Sequence, residues 1–480
     1  MASDRFRWVF CQLDTLRRCI PSGLRKALDE LPTSMDNTYE QTLERIPKEK
    51  RQHAHRLFQC LVAAFRPLRV EELAEIFAIE FDPEAGPHLS EGWRPENPEE
   101  AVLSTCSTLV TIVDDWGSTY RYSRIVQFSH YSVKEFLTSG RLLTSEMGGI
   151  RNYHIHLNDS HTILVRACLS VLLQLDEKVN KKRLATFPLA FYAAEHWVDH
   201  AKFEDVASRV QDAMERLFDP KKPYLTAWTW IHDVEGHRPR MPIDIHPVHP
   251  PLPDATALYY AASCGFSALA KYLIVTHGEG VTAKSGGHGT PLHVASYEGH
   301  LDVVRLLLDH GADINSGDND CKTPLVAAYR GNNLEAMRLL LEHGAEVDVE
   351  YDGFGLILHD ASYNGQVEVI ELLLLHKADV NARGSTKWTP LHWASRAGHA
   401  KVILLLLEHG ADINAQFGAK DTPLSLASVW GHLDVARVLL EHGADVHIRA
   451  RNGRTALQIA KAYGHLEVAQ ILLKYGAETE

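Results

Sequence analysis

A period of 33 residues constrains this chain more than any other feature. Anchors of the form Thr-Pro-Leu, or their equivalents, fall at Thr256, Thr290, Thr323, Leu356, Thr389, Thr422 and Thr455, spaced 34 and then 33 apart. A second landmark keeps its own offset, as Gly-Ala-Asp-Ile-Asn at Gly311 and Gly410 and in variant form at Gly344, Lys377, Gly443 and Gly476. A fixed period of this length implies stacked supersecondary units, none of which can bury its apolar face alone. Thr290 suits an N-cap, Pro291 the first helical turn and Gly299 a left-handed helix end. Val304, Leu307 and Leu308 give a second helix its apolar face.

The period and both landmarks resemble ankyrin repeats, and seven repeats are expected over 254–480. The expected fold is mainly α, with winged-helix and helical elements in the N-terminal half followed by an ankyrin α-solenoid with hairpin loops. The first repeat, Thr256-Ala257-Leu258-Tyr259-Tyr260, is degenerate, as a terminal cap should be. In the third, Asn332 replaces the turn glycine and is the best substitute for it. In the fourth, Leu356-Ile357-Leu358-His359 lacks both Thr and Pro, which predicts an uncapped helix start and a local weak point.

The resemblance implies a protein partner held on the concave face. Positions that the template leaves open at the end of the inner helix are Tyr297, Glu298, Arg330, Tyr363, Asn364, Arg396, Trp430 and Tyr463, and Trp388 stands at a hairpin tip. Asp320 and Phe417 occupy other tips. Tyr, Trp and Arg are the side chains that dominate interface energetics. The alternative for Trp388 and Trp430 is packing on adjacent tips. From residue 251 onward there are 18 Lys and Arg against 27 Asp and Glu, most of the chain's −13. That balance favours a basic or mixed protein partner over nucleic acid.

The first half reads as helices over 53–65, 69–77 and 98–107, then strands over 109–113 and 120–129 around a turn at Asp114–Ser118. Helix–helix–helix–hairpin is the order of a winged helix. The segments at 6–19 (FRWVFCQLDTLRRC), 24–32 (LRKALDELP), 66–75 (RPLRVEELAE) and 127–137 (QFSHYSVKEFL) resemble the end of a fungal-type NACHT module of the STAND class and its winged-helix successor, a family catalogued as GPI inositol-deacylase-like. Residues 187–200 resemble its helical linker. The implied division is a NACHT remnant at 1–50, a winged helix at 51–140, a helical linker at 141–235, a Pro-rich spacer at 236–253 and the array. The resemblance also implies that His130 would sense a nucleotide phosphate if an NTPase module lies upstream, although Tyr131 stands where many relatives carry Asp.

Little else points to chemistry. No G-x-x-x-x-G-K-[ST] loop occurs, so this chain alone is not expected to hydrolyse ATP. Thirteen of the 28 His recur at three template positions, which explains them without metal. His196 and His200, one turn apart, form at most a two-ligand face. Glu99 and Glu100, with no Lys or Arg over 98–107, argue against DNA contact. The seven scattered Cys lack any C-x-x-C and fit a reducing compartment. No apolar run is long enough to span a membrane. The expectation is a non-enzymatic interaction or scaffold protein in intracellular signalling or innate-type recognition, without cofactor or metal, in the cytoplasm or nucleus. The alternative is the regulatory and sensor half of a NACHT-type ATP-driven switch.

Overall fold

The computed structural model describes residues 35–82, 86–89, 95–106, 108–115, 123–145, 149–176, 178–232, 253, 255–285, 289–318, 322–352, 355–384, 387–416, 421–450 and 453–478. The segments at 6–19 and 24–32, most of the Pro-rich spacer, and Asp320 and Phe417 lie outside the described residues. The chain divides into two compact parts, Met1–Pro253 and Asp254–Glu480.

In the first part, α1 (Met35–Glu44) and α2 (Arg51–Ala63) lead to a two-residue strand β1 (Leu68–Arg69) and α3 (Val70–Phe77). A hairpin follows, β2 (Ile79–Asp82) with β3 (Gly86–Leu89), then α4 (Pro98–Cys106), β4 (Val110–Asp115), β5 (Ser123–Phe128) and α5 (Tyr131–Thr138). The antiparallel sheet runs β1-β5-β4. Sequence periodicity missed β1 because two residues carry no alternation, and missed the β2–β3 hairpin. The acidic pair Asp114-Asp115 is not in a turn. Strand β4 runs two residues further than expected, setting Asp114 opposite Arg124 and Asp115 opposite Ser123. The long α6 (Leu157–Leu172) is buried along most of its length and packs against α2 and α7 (Ala190–Ala201).

The start of α3 is secured by a buried carboxylate rather than by a Ser or Thr cap. Glu72 is fully buried and accepts the Arg69 backbone N–H at 2.8 Å. Arg66 grips the same carboxylate with both terminal nitrogens, at 2.7 and 2.8 Å, and Arg69 Nε adds a bond at 2.9 Å. Burial alone would raise the Glu72 pKa; the guanidiniums overcome it and hold the group below its usual range. Neighbouring Glu75 accepts the Leu189 N–H at 2.6 Å, tying α3 to the segment before α7. Because the arginines are partly exposed, Glu72→Ala is expected to cost about 2–4 kcal/mol of stability in this part, read as a lowered urea midpoint.

In the array each repeat contributes an inner and an outer helix, for example Pro390–Ala397 and Ala400–Glu408. Recurrent histidines bind one repeat to the next. In the Thr-Pro-Leu-His box the His293 Nδ1 accepts the Thr290 N–H at 3.1 Å, while its Nε2–H donates to the Lys322 carbonyl of the following repeat at 2.9 Å. His392 repeats this with Thr389 and Asp421. A second set donates backward, with His399, His432 and His465 Nε2 each 2.9–3.0 Å from the carbonyls of Tyr363, Arg396 and Val429. The His432 ring lies 2.8 Å from where a Cβ on Gly398 would stand, and Gly398 has φ +87°. Any side chain there meets both backbone strain and the next repeat. At the tips, Asn315, Asp348, Asn381 and Asn414 each accept a backbone N–H from 31 residues on.

The departures behave in two ways. Asn332 takes the left-handed conformation, φ +56°. The fourth inner helix, Ile357–Asn364, is not bare at its start, contrary to expectation. His359 Nδ1 accepts the Leu356 N–H at 3.2 Å and Nε2 reaches the Ala382 carbonyl at 3.0 Å, so the histidine supplies half of a cap without Thr. Packing, not capping, sets the third and fourth repeats apart. Inner helices pack on inner and outer on outer at every other junction, but at this one neither pair makes comparable contact. Tyr329 gives the reason. It stands where four other repeats bury a serine (Ser296, Ser362, Ser395, Ser428), and its ring needs the room. Its hydroxyl lies 2.9 Å from Asp360 Oδ2 and 2.7 Å from the Gln366 side-chain amide. One proton cannot serve two acceptors. It goes to Asp360, and the Gln366 amide, turned over, donates to the phenolic oxygen.

Two outcomes follow for the array. Tyr329→Phe removes this polar seal and should accelerate amide hydrogen exchange over 324–364 while leaving the fifth to seventh repeats unchanged. Acid should loosen the inter-repeat bonds. Burial holds His392 down to about 4, whereas the unfolded chain takes its proton near 6.5. The unfolded state then binds the extra proton, so stability is full above 6.5 and is lost as pH falls toward 4, by up to about 1.4 kcal/mol per pH unit for each such histidine. Urea midpoints of the chain at pH 7.5 and 5 check the sign; equal midpoints contradict it.

Candidate functional site

The inner-helix ends carry the side chains left over once the stacking bonds are made. Tyr297, Trp430 and Tyr463 are 48, 52 and 63% exposed, in an array whose other large apolar side chains are mostly buried. Glu298, Arg330 and Asn364 are also exposed, with Asn364 donating to Asp360 at 3.0 Å. Tyr363, Trp388 and Arg396 are half-buried.

The structure brings some of these together and leaves others apart. The Arg396 guanidinium lies 5.7 Å from each of three indole rings, those of Trp388, Trp393 and Trp430. Trp388 leans on Trp393 with centroids 4.8 Å apart, and Tyr363 meets Trp393 edge-on at 5.7 Å. The fourth, fifth and sixth repeats thus build one aromatic cluster around a single cation, a geometry that favours the charge over the ring faces. Trp388 packs on its neighbours, the alternative that the sequence offered for it, and is half-buried there. Tyr297, Arg330 and Tyr463 lie at the ends of other inner helices, those of the second, third and seventh repeats.

Sequence reasoning missed Trp393. It occupies the fourth residue after the anchor, where other repeats hold Val294, Ala327, Asp360, Leu426 and Ile459. That scatter was the available signal, because a position without a fixed residue is a position free to recognise something.

The charge balance of the array is also segregated. The outer helices hold ten acidic and six basic residues, whereas the inner helices hold Arg330, Arg396 and Lys461 against Glu298 and Asp360. The acidic excess therefore belongs to the outer helices and the loops, and the inner helices are near neutral.

In the first part, His130 is the N-cap of α5. Its Nδ1 accepts the Ser132 N–H at 3.3 Å and lies 2.6 Å from Ser132 Oγ. The imidazole thus ends up in a helix-capping role. His196 and His200 do not share a ligand face. His200 is fully buried, with Nδ1 2.7 Å from His161 Nδ1 and Nε2 2.9 Å from the Tyr192 hydroxyl. Tyr192 accepts the Phe65 N–H, so its O–H donates to His200 Nε2, and His200 Nδ1–H donates to His161. Burial, with His161 and His196 nearby, drives the His200 pKa down to about 3. Both its nitrogens are committed inside the protein. Among the described residues, no group of three or more His, Cys, Asp or Glu side chains could hold a metal ion. No described helix is long and apolar enough to cross a membrane.

The family described as "Ankyrin repeats (3 copies)" matches residues 241–318, 315–384, 357–417 and 415–480. A fungal relative, the "Azaphilone pigments biosynthesis cluster protein L" of Monascus ruber, is 29% identical over 294 residues, covering 58% of this chain and 60% of its own length. The chain thus spans about 60% of that relative, and the matched share exceeds the array alone, reaching into the first part. Among solved structures, the human ASB11 ankyrin repeat domain is 28% identical, with 46% of this chain and 99% of that one covered and a TM-score of 0.40. An ankyrin repeat domain from Acinetobacter baumannii AYE is 27% identical, covering 39% and 98%, with a TM-score of 0.38. The matched segments together span 241–480, half of the chain, and on that match the chain belongs to the ankyrin-repeat family.

Proposed function

We propose that this chain is a protein-interaction scaffold whose array grips a protein partner on its inner-helix, concave face. The observation that carries the reading is the exposure of Tyr297, Trp430 and Tyr463 along one side of the array, where the stacking bonds have already consumed the template histidines. An ankyrin-repeat fold, with no metal-holding cluster among the described residues, is consistent with a non-enzymatic role. Localisation in the cytoplasm or nucleus remains part of this proposal.

The first part would serve as a docking or regulatory base. With the β2–β3 hairpin inserted after α3 and α5 added at the end, its order α2-β1-α3-α4-β4-β5 and three-stranded antiparallel sheet support the reading of 51–140 as a winged helix, and α6 to α7 suit the helical linker at 141–235. The likeness to NACHT-type receptors rests on the sequence segments quoted above. The capping role of His130 argues for a structural rather than a nucleotide-sensing use of that residue.

A two-hybrid screen with the whole chain as bait supplies partners for the test. Replacing Tyr297 and Trp430 together by Ala should weaken a partner's Kd by roughly 10–100-fold, as for other exposed aromatic anchors. An unchanged Kd removes the concave face from consideration.

A further inference from the structure

We infer that the cluster around Arg396 is a pocket for a carboxylate, an Asp or Glu side chain in an extended segment of the partner, with an apolar neighbour of that residue lying on Trp430. The inference rests on the concave-face reading and names the chemistry it would recognise.

Four observations converge. First, the Arg396 guanidinium is held 5.7 Å from the rings of Trp388, Trp393 and Trp430, contributed by the fifth repeat's approach loop, its inner helix and the end of the sixth inner helix. Second, Arg396 has no carboxylate partner among the described residues, whereas Arg66, Arg69, Arg141, Arg183 and Arg209 each have one. Its side chain is half-buried, so the charge has lost part of its hydration without gaining an ion pair. Third, the inner helices are slightly basic and the outer ones acidic, so a negative segment is drawn to this side. Fourth, Trp430 is half-exposed beside the cation and offers an apolar ledge.

The planar guanidinium presents paired N–H donors that match the two oxygens of a carboxylate, and a cation set against ring faces can still donate from its edges. Within the cluster there is one cation. A single negative charge suits it better than a phosphate dianion, which calls for several.

A twelve-residue phage library selected on the full chain provides the probe. The expected pool is enriched in Asp or Glu next to an aromatic or aliphatic residue, and the pool selected on Arg396→Gln loses the acid. The best peptide is then synthesised with its acidic residue as Asp, Asn or phosphoserine and titrated by fluorescence anisotropy. Asn should weaken binding about 10–100-fold, the usual worth of a hydrogen bond to a charged group. R396Q should weaken the Asp peptide equally and leave the Asn peptide within about twofold. Arg396→Lys, which keeps the charge and loses the fork, should fall between and guards against a folding defect in R396Q.

A pool without acidic enrichment, or an R396Q variant that still prefers Asp to Asn, overturns the carboxylate pocket. If those peptides nevertheless lose binding on Trp430→Ala, the concave-face reading survives. A phosphoserine peptide binding tenfold tighter than the Asp peptide overturns the inference in favour of a phosphate. A selection that enriches nothing overturns both readings.

Discussion

Most repeats in this array leave polar backbone that they cannot satisfy by themselves, and a neighbouring repeat answers it. That constraint organises the second half of the chain. A helix start exposes orphan N–H groups, and a tight loop exposes carbonyls. Here a single imidazole closes both accounts, accepting from the backbone at its own helix start and donating to a carbonyl in the following repeat. The ring must be neutral to do so, and burial keeps it neutral. Asn and Asp side chains at the tips add a parallel set of bonds. The apolar faces then stack because the polar groups have been placed, and little of the recurrent histidine is left for ligand chemistry.

The first part solves a related problem with ionic groups. Glu72 is buried where Ser or Thr would suffice as a cap, and it is tolerable only because two guanidiniums and a backbone N–H converge on it. The His161–His200–Tyr192 chain is the uncharged counterpart, with Tyr192 and His200 each accepting once and donating once and His161 accepting at its end. Both networks hold helices together, and neither leaves its groups for chemistry.

The array was legible because it repeats. Seven anchors at spacings of 34 and then 33 carry the helices, their ends and the left-handed Asn332. The exceptions were harder to interpret. Leu356 suggested a frayed start because the role of His359 as a substitute cap depends on its ring reaching back three residues, which spacing does not reveal. Tyr329 was visible as the odd residue among serines, but its effect on packing required the neighbouring helix to be in place. The Arg396 cluster was half legible. Trp388, Arg396 and Trp430 were picked out singly by residue type, while Trp393 was passed over because it lies on the half of the inner helix that usually packs. In the first part, strand β1 was too short to show a period.

The wide junction beside Tyr329 has a consequence for recognition. Tyr363, Trp388, Trp393, Arg396 and Trp430 all lie on its C-terminal side, within repeats that pack closely on one another. A ligand seated on them needs no alignment of the third repeat with the fourth and gives up no binding free energy to set that angle. One that also reaches Tyr297 must fix the joint before both ends engage. Preorganisation is therefore uneven along a surface built from near-identical parts, and affinity per contact should be higher on the shorter, C-terminal stretch than across its full length.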